Sequence, residues 1–405
     1  MRKSTLWNSV RHIFNEVHLW AGLISGIVVI LVCFSGTIYV YNSEIREMAS
    51  PELYHVEATG ERMSPEEIKT KLESSEQSKV IGINWNDEEG ESVQFTLKKE
   101  GEEGRGSSYF VNPYTAEILG GTRPETAASE FMGYMFSLHR WLLIDKIETP
   151  ILESMSNREL GRFINGVATL LFTLGVLTGI VIWFPKKVKN WRQGLKVKWN
   201  ANWKRVNHDL HNTLAFYSLI FLLIMGLTGP FWSFSWYREG WQNTWDTSRK
   251  SNERSEQVAE EEVIKSAAGV FTLDELISKV NEELLYEGTL RISLPQEGDN
   301  TVSVSKYRTG FFARAGSDQL KLNTADLSVQ EANLFSDLPW RQQVGRSVKS
   351  LHTGDIYGQF TKFIWFLACL VATSLPITGT LIWLNKKKKK PSKKKKTQAR
   401  KLEVA

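Results

Sequence analysis

Residues 19–41 read LWAGLISGIVVILVCFSGTIYVY, a stretch without a single charge. A helix needs about 20 such residues to cross ~30 Å of hydrocarbon. Three more uncharged runs follow, at 163–184, 213–236 and 363–385. Helices buried in a soluble core rarely run this long without a charged residue. The pattern therefore predicts four membrane crossings. The first run is too long for a cleavable signal, and no small-residue cleavage site follows it. It reads as a retained helix.

Working outward from these runs, the charges set the expected orientation. Arg2, Lys3 and Arg11 precede the first run. Lys186, Lys187, Lys189, Arg192, Lys196, Lys198, Lys204 and Arg205 lie between the second and third, and Lys386 to Lys390 and Lys393 to Lys396 follow the fourth. Four crossings put all three basic segments on one side, and an excess of Lys and Arg marks the cytoplasm. Both termini are expected there. The net charge of +5 then reports topology and contact with anionic lipid, not nucleic acid. Cys33 and Cys369 both lie inside apolar runs and read as small apolar residues.

The expected division is an N-terminus at 1–18, helices at 19–41, 161–184, 211–236 and 359–385, a basic link at 185–210 and a lysine-rich tail at 386–405. Segments 42–160 and 237–358 face the other side, and each reads as a small α+β domain. In the first, a helix from Pro65 to Leu72 opens with Ser64 as N-cap. Strands are expected at Val80–Trp85, Ser92–Lys98 and Ser107–Val111, with a turn at Asn112-Pro113-Tyr114-Thr115. In the second, a helix at Leu273–Leu284 opens with Thr272. Strands are expected at Thr289–Leu294, Thr301–Lys306 and Gln319–Leu322. The polar residues Glu253 to Glu262 suggest a flexible entry.

The two halves of the chain repeat each other. His18 stands 18 residues before Gly36, and His211 stands 18 residues before Gly229. Leu138-His139 precedes the second helix and Leu351-His352 precedes the fourth. Leu177-Thr178-Gly179 and Ile377-Thr378-Gly379 introduce matching helix ends, each closed by a Trp and then lysines. Both copies cross in the same sense, so the repeat is parallel. The expected fold is a membrane all-α four-helix bundle built as a parallel 2+2 internal repeat, carrying two α+β domains.

Five of the seven histidines sit at helix mouths: His18, His208 and His211 on the cytoplasmic side, His139 and His352 on the other. His208 and His211 are three apart and share a helical face. His12 reads as interfacial and His55 as a loop residue. Imidazole near bilayer depth is costly without a partner or ligand. Two such layers suit three chemistries. Facing imidazoles can hold a haem iron axially, bind a bare transition metal, or relay protons. Two neutral ligands per layer, without thiolates or carboxylate pairs, support haem. With no Cys-x-x-Cys-His, the haem would be non-covalent and b-type. Gly36, Gly179, Gly229 and Gly379 would admit a flat macrocycle or a close helix. Most tryptophans, among them Trp20, Trp141, Trp183, Trp232, Trp365 and Trp383, read as an aromatic belt. Trp340, Arg341, Arg346 and Lys349 could receive an anionic ligand or simply form a solvated helix face.

These pieces resemble the PepSY-associated transmembrane family, the iron-regulated membrane proteins that include ferric-siderophore reductases. The resemblance rests on His18-Leu-Trp-Ala-Gly22, Leu138-His139-Arg140, His208-Asp-Leu-His211, Leu351-His352-Thr-Gly-Asp355 and the Thr-Gly-x-x-Ile-Trp helix ends. Asn112 to Gly120 resembles the hairpin of a PepSY domain. The resemblance implies a bacterial cytoplasmic (inner) membrane protein with two extracytoplasmic PepSY-like domains and two bis-His haem b groups. His18 and His211 would ligate one haem, with His208 as substitute or supporting partner, and His139 and His352 the other. Iron of a ferric siderophore would be the substrate. No Gly-x-Gly-x-x-Gly follows a strand, so a quinol or a separate flavoprotein would donate electrons. Two other functions remain in view. One is a non-enzymatic protein that binds peptides or proteins, or regulates, through its PepSY-like domains. The other is a transporter component, which the apolar mid-helix positions disfavour.

Overall fold

A helix in lipid must satisfy every backbone group within itself, and four helices here meet that condition. The computed structural model describes residues 2–185, 188–248, 271–295 and 299–387, with side chains omitted for 2–6 and 188–190. The chain runs α1 (Arg2–Tyr39), α2 (Asn42–Ala49), α3 (Pro51–Tyr54), α4 (Pro65–Glu76), β1 (Ser78–Trp85), β2 (Val93–Lys99), β3 (Ser107–Val111), β4 (Ile118–Gly121), α5 (Ala127–Trp141), α6 (Asn157–Trp183), α7 (Trp203–Thr228) and α8 (Ser235–Thr244). It continues with α9 (Leu273–Glu283), β5 (Gly288–Ser293), β6 (Thr301–Arg308), β7 (Ser317–Asn323), β8 (Val329–Asn333), α10 (Trp340–Arg346), α11 (Val348–Thr353) and α12 (Gly358–Lys387). Trp7–Tyr39, Asn157–Trp183, Trp203–Trp232 and Gly358–Lys387 are long and apolar enough to span a bilayer. The chain is a multi-pass membrane protein.

The membrane helices outrun the apolar stretches that announce them. Helix α1 starts at Arg2, so His18 lies in its middle and not at its mouth. Polar residues such as Asn15 and Glu16 continue the same backbone ladder, and hydropathy marks the lipid-facing run without marking the helix end. Helix α6 opens at a capping box of Ser156 and Glu159, and α7 opens at Asn202, whose side chain accepts from Arg205 N–H. The Arg11 guanidinium donates to the carbonyls of Phe184 (2.7 Å) and Ile182 (2.6 Å), closing the end of α6.

The segments between α1 and α6 and between α7 and α12 each form an α+β unit, as expected, but the units are not separate. β1 pairs with β5 antiparallel, from Gly82 opposite Ser293 to Trp85 opposite Leu290. The result is one eight-stranded sheet ordered β4-β3-β2-β1-β5-β6-β7-β8. A single core joins the halves. Val80, Ile83, Phe95, Leu97, Ile292, Val304 and Leu322 pack with Ile68 and Leu72 of α4 and Leu273, Leu276 and Val280 of α9. Both helices start at capping boxes, at Ser64 and Thr272. Those starts are tied together: Ser64 Oγ donates to Asp274 at 2.9 Å, and Glu66 accepts from Leu273 N–H at 2.8 Å. The pairing joins strands distant in sequence, so no local pattern announces it. Residues 253–262 and the lysines beyond Lys387 lie outside the described residues.

Candidate functional site

His139 does not immediately begin α6. It rides on α5, a separate helix that packs against α1. His352 rides on α11, which packs against α7. The two rings meet with centroids 6.0 Å apart at the sheet side of the bundle. At the other side of the bundle, His18 from the middle of α1 and His211 from α7 meet with centroids 6.3 Å apart. Each pair therefore takes one imidazole from the first half of the chain and one from the second. The remaining histidines stay apart. His208 is exposed and contacts Asp209 (3.5 Å) and Asn212 (3.2 Å). Asp209 is buried and held by Arg205 at 2.9 Å. His12 is exposed, and His55 bonds Glu47 at 3.1 Å.

All four paired rings use Nδ1 for a protein hydrogen bond. His18 Nδ1 meets Gly175 O at 2.9 Å, and His139 Nδ1 meets Val32 O at 2.9 Å. A carbonyl only accepts, so Nδ1 carries the proton in both. His211 Nδ1 meets Thr378 Oγ1 at 2.9 Å, and His352 Nδ1 meets Thr228 Oγ1 at 2.9 Å. The Thr378 hydroxyl already donates to Ser374 O and Leu375 O, each at 3.1 Å, and Thr228 to Ile224 O at 2.7 Å. Each hydroxyl proton is committed, so both threonines accept from imidazole. Among the described residues no hydrogen bond reaches any of the four Nε2 atoms. In the neutral form all four rings would share one tautomer, with the proton on Nδ1 and the Nε2 lone pair open to a ligand. This is how metal-ligating histidines are held.

Four glycines bring the rings in. A Cβ at Gly36 would lie 2.9 Å from His139 Cε1, and one at Gly229 3.6 Å from His352 Cε1. A Cβ at Gly179 would lie 3.4 Å from His18 Cε1, and one at Gly379 3.3 Å from His211 Cε1. The glycines serve ring packing within each half. Along α1, His18 and Val32, the partner of His139, are 14 residues apart, or about 21 Å of rise.

The separation of the rings limits what they can hold. Two in-line metal–imidazole bonds of about 2 Å each, with the two offsets from nitrogen to ring centre, sum to about 6 Å. Both pairs match that figure. Among the described residues no group of three or more His, Cys, Asp or Glu converges. A bare-metal cage is thus less well supplied than an axial pair. Two imidazoles at each site would suit a group that supplies its remaining ligands itself.

A profile of the PepSY-associated TM region matches residues 16–386. The chain belongs to that family. The match spans the membrane helices, the sheet and all four paired histidines, and so bears out the resemblance read from the histidine and Thr-Gly motifs. No curated protein matches the chain.

Two features of this PepSY-associated bundle escape sequence reading. Trp365 is not a belt residue but a buried one, and Trp232 packs beside a histidine ring. Trp365 is 5% exposed and donates to Leu351 O at 2.9 Å, and Trp232 lies 5.1 Å from the His352 ring. Gly354, at φ +86°, brings α11 onto Trp365, where a Cβ would lie within 2.4 Å of the side chain. Aromatic rings continue from Trp232 through Phe231 (5.3 Å), Trp241 (6.4 Å) and Trp245 (5.6 Å) to Trp340 (6.0 Å), which is 67% exposed. Arg341, Arg346 and Lys349 are exposed beside it, and Arg341 donates to Thr244 O at 2.6 Å.

Proposed function

We propose that this chain is a di-haem b transmembrane electron-transfer protein that reduces ferric siderophore iron on the outer side of the bacterial inner membrane. The observation that carries the reading is the double occurrence of one arrangement: two imidazoles about 6 Å apart, each with Nδ1–H committed and Nε2 free. His18 and His211 would hold one haem, and His139 and His352 the other. Bound there, haem b supplies one-electron transfer.

The chain's own residues do the rest. Gly175 O, Thr378, Val32 O and Thr228 orient the rings and raise their basicity. The glycines set each ring at contact distance from a neighbouring helix. Apolar helix surfaces exclude water between the two layers. The correspondence of Gly36 with Gly229, Gly179 with Gly379 and Thr178 with Thr378 supports a parallel 2+2 repeat, with each cofactor at the junction of its halves. The basic link and the basic end of α12 support cytoplasmic termini, and on that orientation the sheet would face outward. The exposed Trp340 end of the aromatic series is then a face where substrate can approach. A quinol or a separate flavoprotein would feed the termini-side pair.

The visible spectrum of the purified chain tests this reading. Expression with adequate haem should give a Soret band and an α-band on dithionite addition. Their absence would sink the proposal. If binding by the sheet alone were the function, His-to-Ala variants would behave as wild type and the isolated outer segments would capture a peptide or protein.

A further inference from the structure

Beside the sheet-side pair lie donors without acceptors. Arg140 follows His139 on α5 and is half-buried. Its guanidinium lies 6.0 Å from the centre of the Trp141 ring, and Arg162 shares a face of α6 with Arg158, one turn along. Arg162 Nε and Trp141 Nε1 are both shut off from solvent with no hydrogen-bond partner. Arg158 adds a third guanidinium 4.5 Å above the Trp141 ring. Among the described residues none of these arginines forms an ion pair. The two nearest carboxylates in sequence hydrogen-bond elsewhere, Glu159 to the Ser156 cap and Asp145 to Ser137, although Glu159 still interacts electrostatically with Arg162.

Buried donors are nearly always satisfied, and adjacent cations at a membrane boundary are costly unless something neutralises them. Guanidinium groups are shaped for planar carboxylates, which they bind through paired N–H donors. Asn165, three residues beyond Arg162 on α6, donates to His139 O at 2.6 Å and so holds this face of α6 against the His139 segment.

We propose that Arg140 and Arg162, assisted by the Trp141 indole N–H, form an anion subsite for the carboxylates of the porphyrin held by His139 and His352. The inference rests on the haem reading above and assigns the orientation of that group. Its carboxylates lie toward α5 and the start of α6.

The test uses the full chain in a His18→Ala/His211→Ala background, which keeps only the sheet-side pair. The haem-free protein is titrated with iron protoporphyrin IX and with its dimethyl ester, which lacks carboxylates, and Soret absorbance is read. With the arginines intact, the free acid should bind at least about tenfold more tightly than the ester, the scale of a charge-assisted hydrogen bond. Arg140→Gln/Arg162→Gln should abolish that preference while leaving ester affinity unchanged. Arg140→Lys should restore part of it. The melting temperature of the haem-free double variant should equal or exceed that of its parent, because like charges have been removed. This controls for misfolding. A preference that survives the double substitution overturns the proposal. So does equal binding of acid and ester by the parent, or a double variant that instead loses affinity for an anionic ferric chelate. If the parent binds neither porphyrin, the haem reading has failed before this one.

Discussion

In the termini-side pair one imidazole donates to a backbone carbonyl, Gly175 O, and the other to a hydroxyl, Thr378 Oγ1. The sheet-side pair divides its bonds the same way, between Val32 O and Thr228 Oγ1. In both, the first half of the chain supplies the ring on the carbonyl and the second half the ring on threonine. The surroundings differ. The His352 ring lies 5.1 Å from Trp232, which begins an aromatic series that ends at the surface. The termini-side rings lie near His208 and the basic link. On the proposed function, the shared parts would hold the same group twice, and the differing surroundings would set the pairs at different ends of one transfer.

The largest effect should come from removing a ring. His139→Ala and His18→Ala should each lower haem content per chain by about half, read from the pyridine haemochrome spectrum. The two losses should be independent, because the pairs share no residue. A single substitution that empties both sites would break the comparison. Next come the threonines. Thr228→Val and Thr378→Val keep shape but remove the acceptor of Nδ1–H, so each should weaken haem retention at its own site by about 10- to 100-fold. Equal losses at the two sites would sharpen the parallel. A loss at one site only would show that the other ring is held by packing.

The glycines offer a smaller, graded test. A methyl group at Gly36 would sit 2.9 Å from His139 Cε1, closer than real Cβ contacts come. At Gly179 the gap to His18 Cε1 is 3.4 Å, an ordinary contact. Gly36→Ala should therefore displace the ring and lower sheet-side haem retention several-fold, on the scale of a small-to-large core substitution. Gly179→Ala should leave the termini-side site close to wild type. The reduced α-band, resolved at low temperature, distinguishes the sites. Equal effects of the two alanines would mean that ring packing does not set the geometry.

Much of this was legible before any coordinates. Four uncharged runs announce four spanning helices because lipid admits little else. Ser64 and Thr272 announce α4 and α9 because a cap needs a side-chain acceptor at one position. The repeated spacing of His, Gly and Thr announces two pairs. The central β1–β5 pairing is not legible, since each strand alternates apolar and polar residues whatever its neighbour. β4 is four residues rich in glycine, and β8 carries Gln330, Glu331 and Asn333 on a sheet edge. Neither has a strand's composition. Helix α5, which positions His139, carries too mixed a face to separate it from the loop around it. The orphaned donors of Arg162 and Trp141 exist only in three dimensions.

His208 tests the comparison from its weak side. The sequence places His208 and His211 on one face and leaves the choice between them open. In the structure His211 turns toward His18, while His208 is exposed and occupied with Asp209 and Asn212. Asp209 is itself fixed by Arg205 and by the Lys198 N–H. Drawing His208 inward would require giving up these contacts and one turn of position along α7. His208→Ala should therefore leave haem content and the visible spectrum unchanged. His211→Ala should lose the termini-side haem entirely, although an imidazole remains three residues away. The same preparation answers both, by haem-to-protein ratio. Retention of that haem in His211→Ala, with its loss only in the double variant, would make the termini-side pair exchangeable. The sheet-side pair, with no second histidine beside His139 or His352, would then be the more strictly defined of the two.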